Sequence, residues 1–284
     1  MRIKIISDSS SNLRTLRDVP YATVPLKVIT AEREYVDDAA LDVHGMMDDL
    51  KTVKGKTHTS CPNVYEWKMA VGDADAAFII TITGSLSGSY AAAEQAAREL
   101  LSENPTRRIS VINSLSTGPE MQLLIEKLRD LILKDLPFEE IDSAVRAYQA
   151  HTHLLFALQS MSNLARNGRI SPLAAKMAGF LGIHAIGEAS SEGTLQMLHK
   201  PRGRQRALQT LLLEMQKQGY CGGKVHIAHC RNEEAAEELK ARIVTLFPDA
   251  PVSILPATAL CSFYAEEGGL LVGCEDLPLP DKSH

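Results

Sequence analysis

Residues 76–101 read AAFIITITGSLSGSYAAAEQAARELL. The run Ala76 to Ile82 is apolar or β-branched and carries no charge, the pattern of a strand buried on both faces of a parallel sheet. It passes into the polar, glycine-punctuated turn Thr83-Gly84-Ser85-Leu86-Ser87-Gly88-Ser89. An alanine-rich helix is expected from about Tyr90 to Leu101. Strand, polar turn and helix in that order are the unit of an α/β sheet. Similar segments lie on either side. Ile3 to Ile6 stops at Ser7-Asp8-Ser9-Ser10-Ser11, Tyr21 to Val28 reads as a second strand, and Ala39 to Lys51 has helical spacing. Arg108 to Ile112 ends in Asn113-Ser114-Leu115-Ser116-Thr117-Gly118. Pro119 then suits the first turn of a helix with Met121, Leu124, Ile125 and Leu128 on one face. A further helix spans Phe138 to Gln149. Residues 1–150 therefore read as a mostly parallel, Rossmann-like sheet with flanking helices, whose strand carboxyl ends form the binding edge.

The second half alternates differently. Met161 to Asn167 and Pro172 to Phe180 have helical spacing, and Gly182 to Glu188 with Thr194 to His199 form a strand pair around Glu192-Gly193. Pro201 to Lys217 is an amphipathic helix, Lys224 to His229 a strand and Glu233 to Phe247 a helix. Val252 to Pro256 and Leu270 to Cys274 complete the strands. Residues 151–284 read as an α+β domain with a mixed or antiparallel sheet. No Pro/Gly linker marks the boundary near 150.

The chain has 284 residues, 45% hydrophobic and 23% charged, enough apolar material for two cores. A net charge of −5 and 5% aromatics exclude the basic, base-stacking surface of a nucleic-acid binder. No apolar run approaches the ~20 residues of a membrane span. The opening Met1-Arg2-Ile3-Lys4-Ile5-Ile6 moves directly into a strand and reads as no signal peptide. The cysteines at 61, 221, 230, 261 and 274 lack C-x-x-C spacing, so neither a disulfide framework nor a zinc site is expected. Reduced thiols and a cytoplasmic location follow.

Two hydroxyl-rich turns draw the chemistry. Ser85, Ser87 and Ser89 precede a helix, where free N–H groups and the dipole favour an anion; an ordinary serine N-cap reads the same. Thr59-Ser60-Cys61-Pro62-Asn63 precedes a helical stretch with Tyr65 and Trp67 and carries the same pair of readings. Enzyme signatures fail. Gly84-Ser85-Leu86-Ser87-Gly88 has Leu86 where a nucleophile elbow demands Ser, and neither a dinucleotide fingerprint nor a phosphate loop occurs. His151-Thr152-His153 lacks the carboxylate or thiolate company of a metal site, so no metal is expected. Arg166, Arg169, Lys200, Arg202, Arg204 and Arg206 read as a solvated basic face or a surface for an acidic partner.

Together these segments resemble the DegV family of fatty-acid-binding proteins. Ile5-Ile6-Ser7-Asp8-Ser9-Ser10 resembles its opening strand, and Val24-Pro25-Leu26-Lys27-Val28 follows in place. Thr59-Ser60-Cys61-Pro62 is similar to the family's T-S-Q-P, Leu86-Ser87-Gly88-Ser89-Tyr90 to L-S-G-T-Y, and Gly168-Arg169-Ile170-Ser171 to G-R-I-S. Val111-Ile112-Asn113-Ser114 stands at an Asp-Ser strand end. Between Ala257 and Tyr264 the family's His and Gly-Pro-Gly are absent, and Leu260 stands about where the His would be.

The resemblance implies two α/β domains with a fatty acid in a buried tunnel between them, no cofactor and no catalysis by this chain. Its carboxylate would be offered to a separate fatty acid kinase subunit. Head-group candidates are Thr59, Ser60, Ser85, Ser87 and Gly88; candidates for tunnel lining or partner contact are Met177, Phe180, Arg169 and Arg202. Tail burial contributes about 0.8 kcal/mol per methylene, so hydroxyls and helix-end N–H groups suffice for the carboxylate. The alternative is an enzyme or sensor for a small phosphorylated metabolite held at 83–89. It needs an acid/base pair, for which His58 and Glu94 are the nearby residues.

Overall fold

The structure is a computed structural model that describes residues 2–171 and 182–277. The first half runs β1 (Ile3–Asp8), a 3-10 turn (Ser9–Ser11), β2 (Tyr21–Val24), β3 (Lys27–Ile29), β4 (Glu34–Val36), α1 (Val43–Thr52), β5 (His58–Ser60), α2 (Val64–Val71), β6 (Ala76–Thr81), α3 (Ser89–Glu103), β7 (Arg108–Asn113), α4 (Pro119–Ile132) and α5 (Phe138–Gln149). The second runs β8 (Thr152–Leu158), α6 (Ser162–Arg166), β9 (Ala185–Ala189), β10 (Leu195–His199), α7 (Arg204–Lys217), β11 (Val225–His229), α8 (Glu233–Leu246), β12 (Val252–Pro256), α9 (Ala259–Ala265) and β13 (Leu270–Glu275).

Strand β6 is buried at every position because both its faces are covered. It sits inside a four-stranded parallel sheet in the order β2-β1-β6-β7. Alternate residues go to opposite sides. Phe78 and Ile80 pack with α4 and α5, where Phe78 stacks on Phe138 at 4.4 Å. Ala77 and Ile79 meet Trp67 of α2 and Ala93, Ala96 and Leu100 of α3. The small side chains of α3 let it lie close to the sheet.

A six-stranded mixed sheet, β10-β9-β8-β13-β11-β12, is antiparallel except between β11 and β12. One face packs on α7 and α8 through Leu155, Ile227 and Val272 against Leu208, Leu211 and Leu239. The other, with Leu154, Phe156 and Leu271, meets α9 and reaches Val28 and Tyr35 of a small antiparallel sheet, β4-β3-β5. Helix α4 lies against both larger sheets. A Cβ at Gly273 of β13 would stand 2.5 Å from Glu120 N and 2.7 Å from Pro119 O, so glycine there permits this close approach.

The two α/β units agree with the sequence expectation, and the details depart from it where distant segments intervene. The expected strand Tyr21 to Val28 is two strands in different sheets. Pro25 has no N–H for a ladder, and the Leu26 N–H turns to Ser9 Oγ at 3.0 Å. Residues 152–158, which carry no strand in the sequence reading, form an interior strand of the larger sheet, and 259–265 is a helix that the reading also lacks. Pro172 to Phe180, and with it Met177 and Phe180, lies outside the described residues. Among the described residues no helix is long and apolar enough to cross a membrane.

Candidate functional site

Between the two larger sheets lies a cavity of about 490 Å³, within the range of small-molecule sites. Leu26, Ile82 and Leu86 line it from the first half, and Leu154, Phe156, Leu158 and Leu271 from the second. Its polar groups come from His58, Thr59, Ser60 and Cys61 along β5 and its end, Ser87 and Gly88 before α3, Thr117 before α4, Arg169 after α6, and Tyr264 on α9.

The turn before α3 is held from below. Asp8 ends β1 and is fully buried. Its Oδ2 accepts the Ile82 N–H at 2.9 Å and the Ser89 hydroxyl at 2.6 Å, and its Oδ1 accepts the Ser10 N–H at 3.2 Å and hydroxyl at 2.5 Å. Burial pushes the Asp8 carboxyl up from its ordinary value, against the pull of these donors. The Leu86 and Ser87 N–H groups both donate to Thr83 O at 3.2 Å, tightening the turn. Ser87 Oγ accepts the Ser89 N–H at 3.3 Å, which leaves its hydroxyl proton to donate elsewhere. A Cβ on Gly88 would come to 3.2 Å from Cys61 Sγ, so the bare residue brings this turn against the Thr59-Ser60-Cys61 strand end.

On the facing wall, Asp37 accepts the N–H groups of Ala259 and Leu260 at 3.0 and 3.1 Å and the Thr258 hydroxyl at 3.3 Å. Arg14 pairs with the same carboxylate. This anchor turns Leu260, Cys261, Tyr264 and Ala265 toward the cavity. The hydroxyls of Tyr264 and Thr59 lie 2.7 Å apart. Cys261 donates to Ser10 O at 3.3 Å, and burial pushes its thiol up to about 12, so it stays protonated. Burial raises the Cys61 thiol as well. All five cysteines are free of disulfides.

The structure sorts the sequence candidates. Thr59, Ser60, Ser87, Gly88 and Arg169 line the cavity. Arg169 donates through Nε to Leu86 O at 3.1 Å and bonds Asn167 O, clamping the back of the turn. Ser85 does not line it: two residues before Ser87 the backbone has turned outward, and its exposed hydroxyl donates to Glu192 O at 2.6 Å on the β9–β10 hairpin. Arg202 is exposed, does not line the cavity, and forms a short antiparallel bridge with Ile183. Of the acid/base pair demanded by a phosphometabolite enzyme, His58 lines the cavity, but Glu94 pairs with Arg98 on α3. His151 and His153 both meet Asp276, at 2.9 and 3.2 Å. Among the described residues no cluster of three or more His, Cys, Asp or Glu could hold a metal. Sequence reasoning missed Tyr264 and Cys261 because it missed α9; the signal was the spacing of Leu260, Cys261, Tyr264 and Ala265, which share one helical face.

Comparison with known proteins gives this site a context. The family model described as "Uncharacterised protein, DegV family" matches residues 2–274. A DegV domain-containing protein of Streptococcus pyogenes serotype M1 is 43% identical over 279 residues, covering 97% of this chain and all of the relative. The crystal structure of the Streptococcus pneumoniae Fatty Acid Kinase (Fak) B3 protein loaded with linoleic acid superposes with a TM-score of 0.96 at 42% identity, over 98% of this chain and 100% of that one. A DegV family protein from Eubacterium eligens loaded with heptadecanoic acid gives 0.95 at 40% identity, over 97% and 100%. With the family match spanning both sheets and the cavity between them, this chain belongs to the DegV family.

Proposed function

We propose that this chain is a cytoplasmic carrier that binds a long-chain fatty acid between its two units, which divide near residue 150, and presents the carboxylate to a kinase subunit. The observation that carries the reading is a largely apolar cavity with hydroxyls converging on it from β5, the turn before α3, and α9. An acyl chain of about 14 methylenes gains on the order of 11 kcal/mol by leaving water, before the cost of immobilising it. Thr59, Ser60, Ser87 and the Gly88 N–H take the carboxylate by hydrogen bonds, with the Arg169 guanidinium on the same cavity wall. Hydrogen bonds to an ionised acceptor are about twice as strong as neutral ones, and the anion remains open to a partner. Support also comes from the neighbours: one is the Fak B3 protein loaded with linoleic acid, the other holds heptadecanoic acid. Arg169, tied to the back of the head-group turn, and exposed Arg202 are the candidate contacts for an acidic partner surface. Among the described residues that line the cavity, no carboxylate stands beside His58.

Native mass spectrometry of freshly purified protein, followed by organic extraction, tests the reading. A bound mass of a C14–C18 fatty acid is expected, and the joint variant Thr59→Ala, Ser87→Ala should lower its occupancy. A protein that is empty and also refuses added fatty acids would overturn the carrier reading. Unchanged occupancy in the double variant would overturn the head-group assignment.

A further inference from the structure

Resting on the fatty-acid reading above, we infer that Tyr264 selects the ionised carboxylate over the ester or alcohol of the same chain, by donating its hydroxyl to Thr59. The two residues are 205 positions apart, and their hydroxyl oxygens stand at 2.7 Å. An O–H···O–H pair uses one of its two protons and leaves the other to donate outward. A phenol is the stronger donor of the two, so the favoured arrangement runs from the Tyr264 hydroxyl into Thr59 Oγ1, with the Thr59 proton aimed at the ligand. Donation into Thr59 polarises its hydroxyl and strengthens the outgoing bond, as in any hydrogen-bonded chain at low local dielectric.

The surroundings hold this geometry. Asp37 fixes the start of α9 through the Ala259 and Leu260 N–H groups. The Tyr264 ring packs edge-on against Phe263 at 4.9 Å, and Thr59 is registered in its strand opposite Val28. The other polar group on this face of α9, the Cys261 thiol, already donates to Ser10 O. Tyr264 is therefore the residue by which α9 reads the head group. Burial raises the phenol above its ordinary value, so it remains a donor at neutral pH. A polarised donor gains most from a charged acceptor, which makes Tyr264 a positioning residue with a chemical signature. It should discriminate between a carboxylate and its methyl ester.

The test is the affinity of the delipidated protein for palmitate and for methyl palmitate, measured for the wild type, Tyr264→Phe, Thr59→Val and the double variant. Phenylalanine keeps the ring and its packing. Tyr264→Phe should weaken palmitate about tenfold, change methyl palmitate by less than about twofold, and add nothing to Thr59→Val. Equal losses for acid and ester, full additivity with Thr59→Val, or wild-type palmitate affinity in Tyr264→Phe would each overturn the inference while leaving the carrier reading intact. A wild type that binds neither ligand would overturn both.

Discussion

Asp8 and Ser89 are 81 residues apart, and the hydroxyl of one donates to the carboxylate of the other at 2.6 Å in a fully buried setting. The contact joins the end of the first strand to the start of α3 and, with the Ile82 N–H on the same oxygen, sets the path of the turn that carries Ser87. Asp8→Asn keeps the shape but replaces one acceptor oxygen with a donor that faces N–H or O–H groups. A loss of about 1–3 kcal/mol in urea unfolding is expected, with weaker fatty acid binding from the displaced turn. A variant as stable as the wild type that binds normally would show the turn to be held by other contacts.

The hairpin between β9 and β10 docks on that same turn. Gly193 has φ +73°, and a Cβ there would come to 2.1 Å from Thr83 Oγ1 and 3.0 Å from the Leu115 backbone. Gly193→Ala is strained both by its conformation and by the clash. It should cost about 1–3 kcal/mol and release the Ser85 bond to Glu192 O. Thermal melts would register the cost as a fall of several degrees.

Acid sensitivity has a named source in Glu126. Burial opposes its ionisation, yet His226 at 3.2 Å and Lys224 at 2.7 Å hold the carboxyl down at about 2. A carboxyl depressed in the folded state stabilises it above the ordinary carboxyl value, and that contribution fades as pH falls from about 4.5 toward 2. It is on the order of 3 kcal/mol at neutral pH. Unfolding of Glu126→Gln measured from pH 7 down to 2 should show a shallower acid limb than the wild type; parallel limbs would assign the sensitivity to other groups.

Tail length can be tested from the far wall. Leu195 on β10 is half-buried and lines the cavity, so Leu195→Trp has room to stay folded while its ring occupies tunnel space. Mass spectrometry of the bound lipid should show a shift to shorter acyl chains at similar thermal stability. An unchanged C14–C18 profile would place the tail elsewhere.

Much of the fold was legible locally. The uncharged run Ala76 to Ile82, apolar or β-branched throughout, has no stable place except between two covered faces, and the Ser/Thr/Gly-rich turns after the strands announced a parallel α/β unit. Periods of two and 3.6 residues survive in a linear chain because side-chain direction depends on neighbouring φ and ψ alone. Thr59, Ser60 and Ser87 stood out as polar residues at a strand end and a helix start, and the family resemblance named them, with Gly88, for the head group. Which hydroxyl faces the cavity was not legible. Ser85 and Ser87 share one turn, and the fold sends the first to Glu192 and the second to the cavity wall. Thr152–Leu158 escaped because the His151-Thr152-His153 stretch at its start was weighed as a metal site and not as a strand, whereas pairing with β13 and β9 puts the strand inside the sheet. Helix α9 escaped because its N-terminal anchor, Asp37, arrives from more than 220 residues away. Sequence by itself determined most of the elements and their polar ends. The meeting of Asp8 with Ser89 and of Thr59 with Tyr264 was decided by tertiary structure, because a hydrogen bond between distant segments depends on how whole sheets and helices pack, and no local period encodes that.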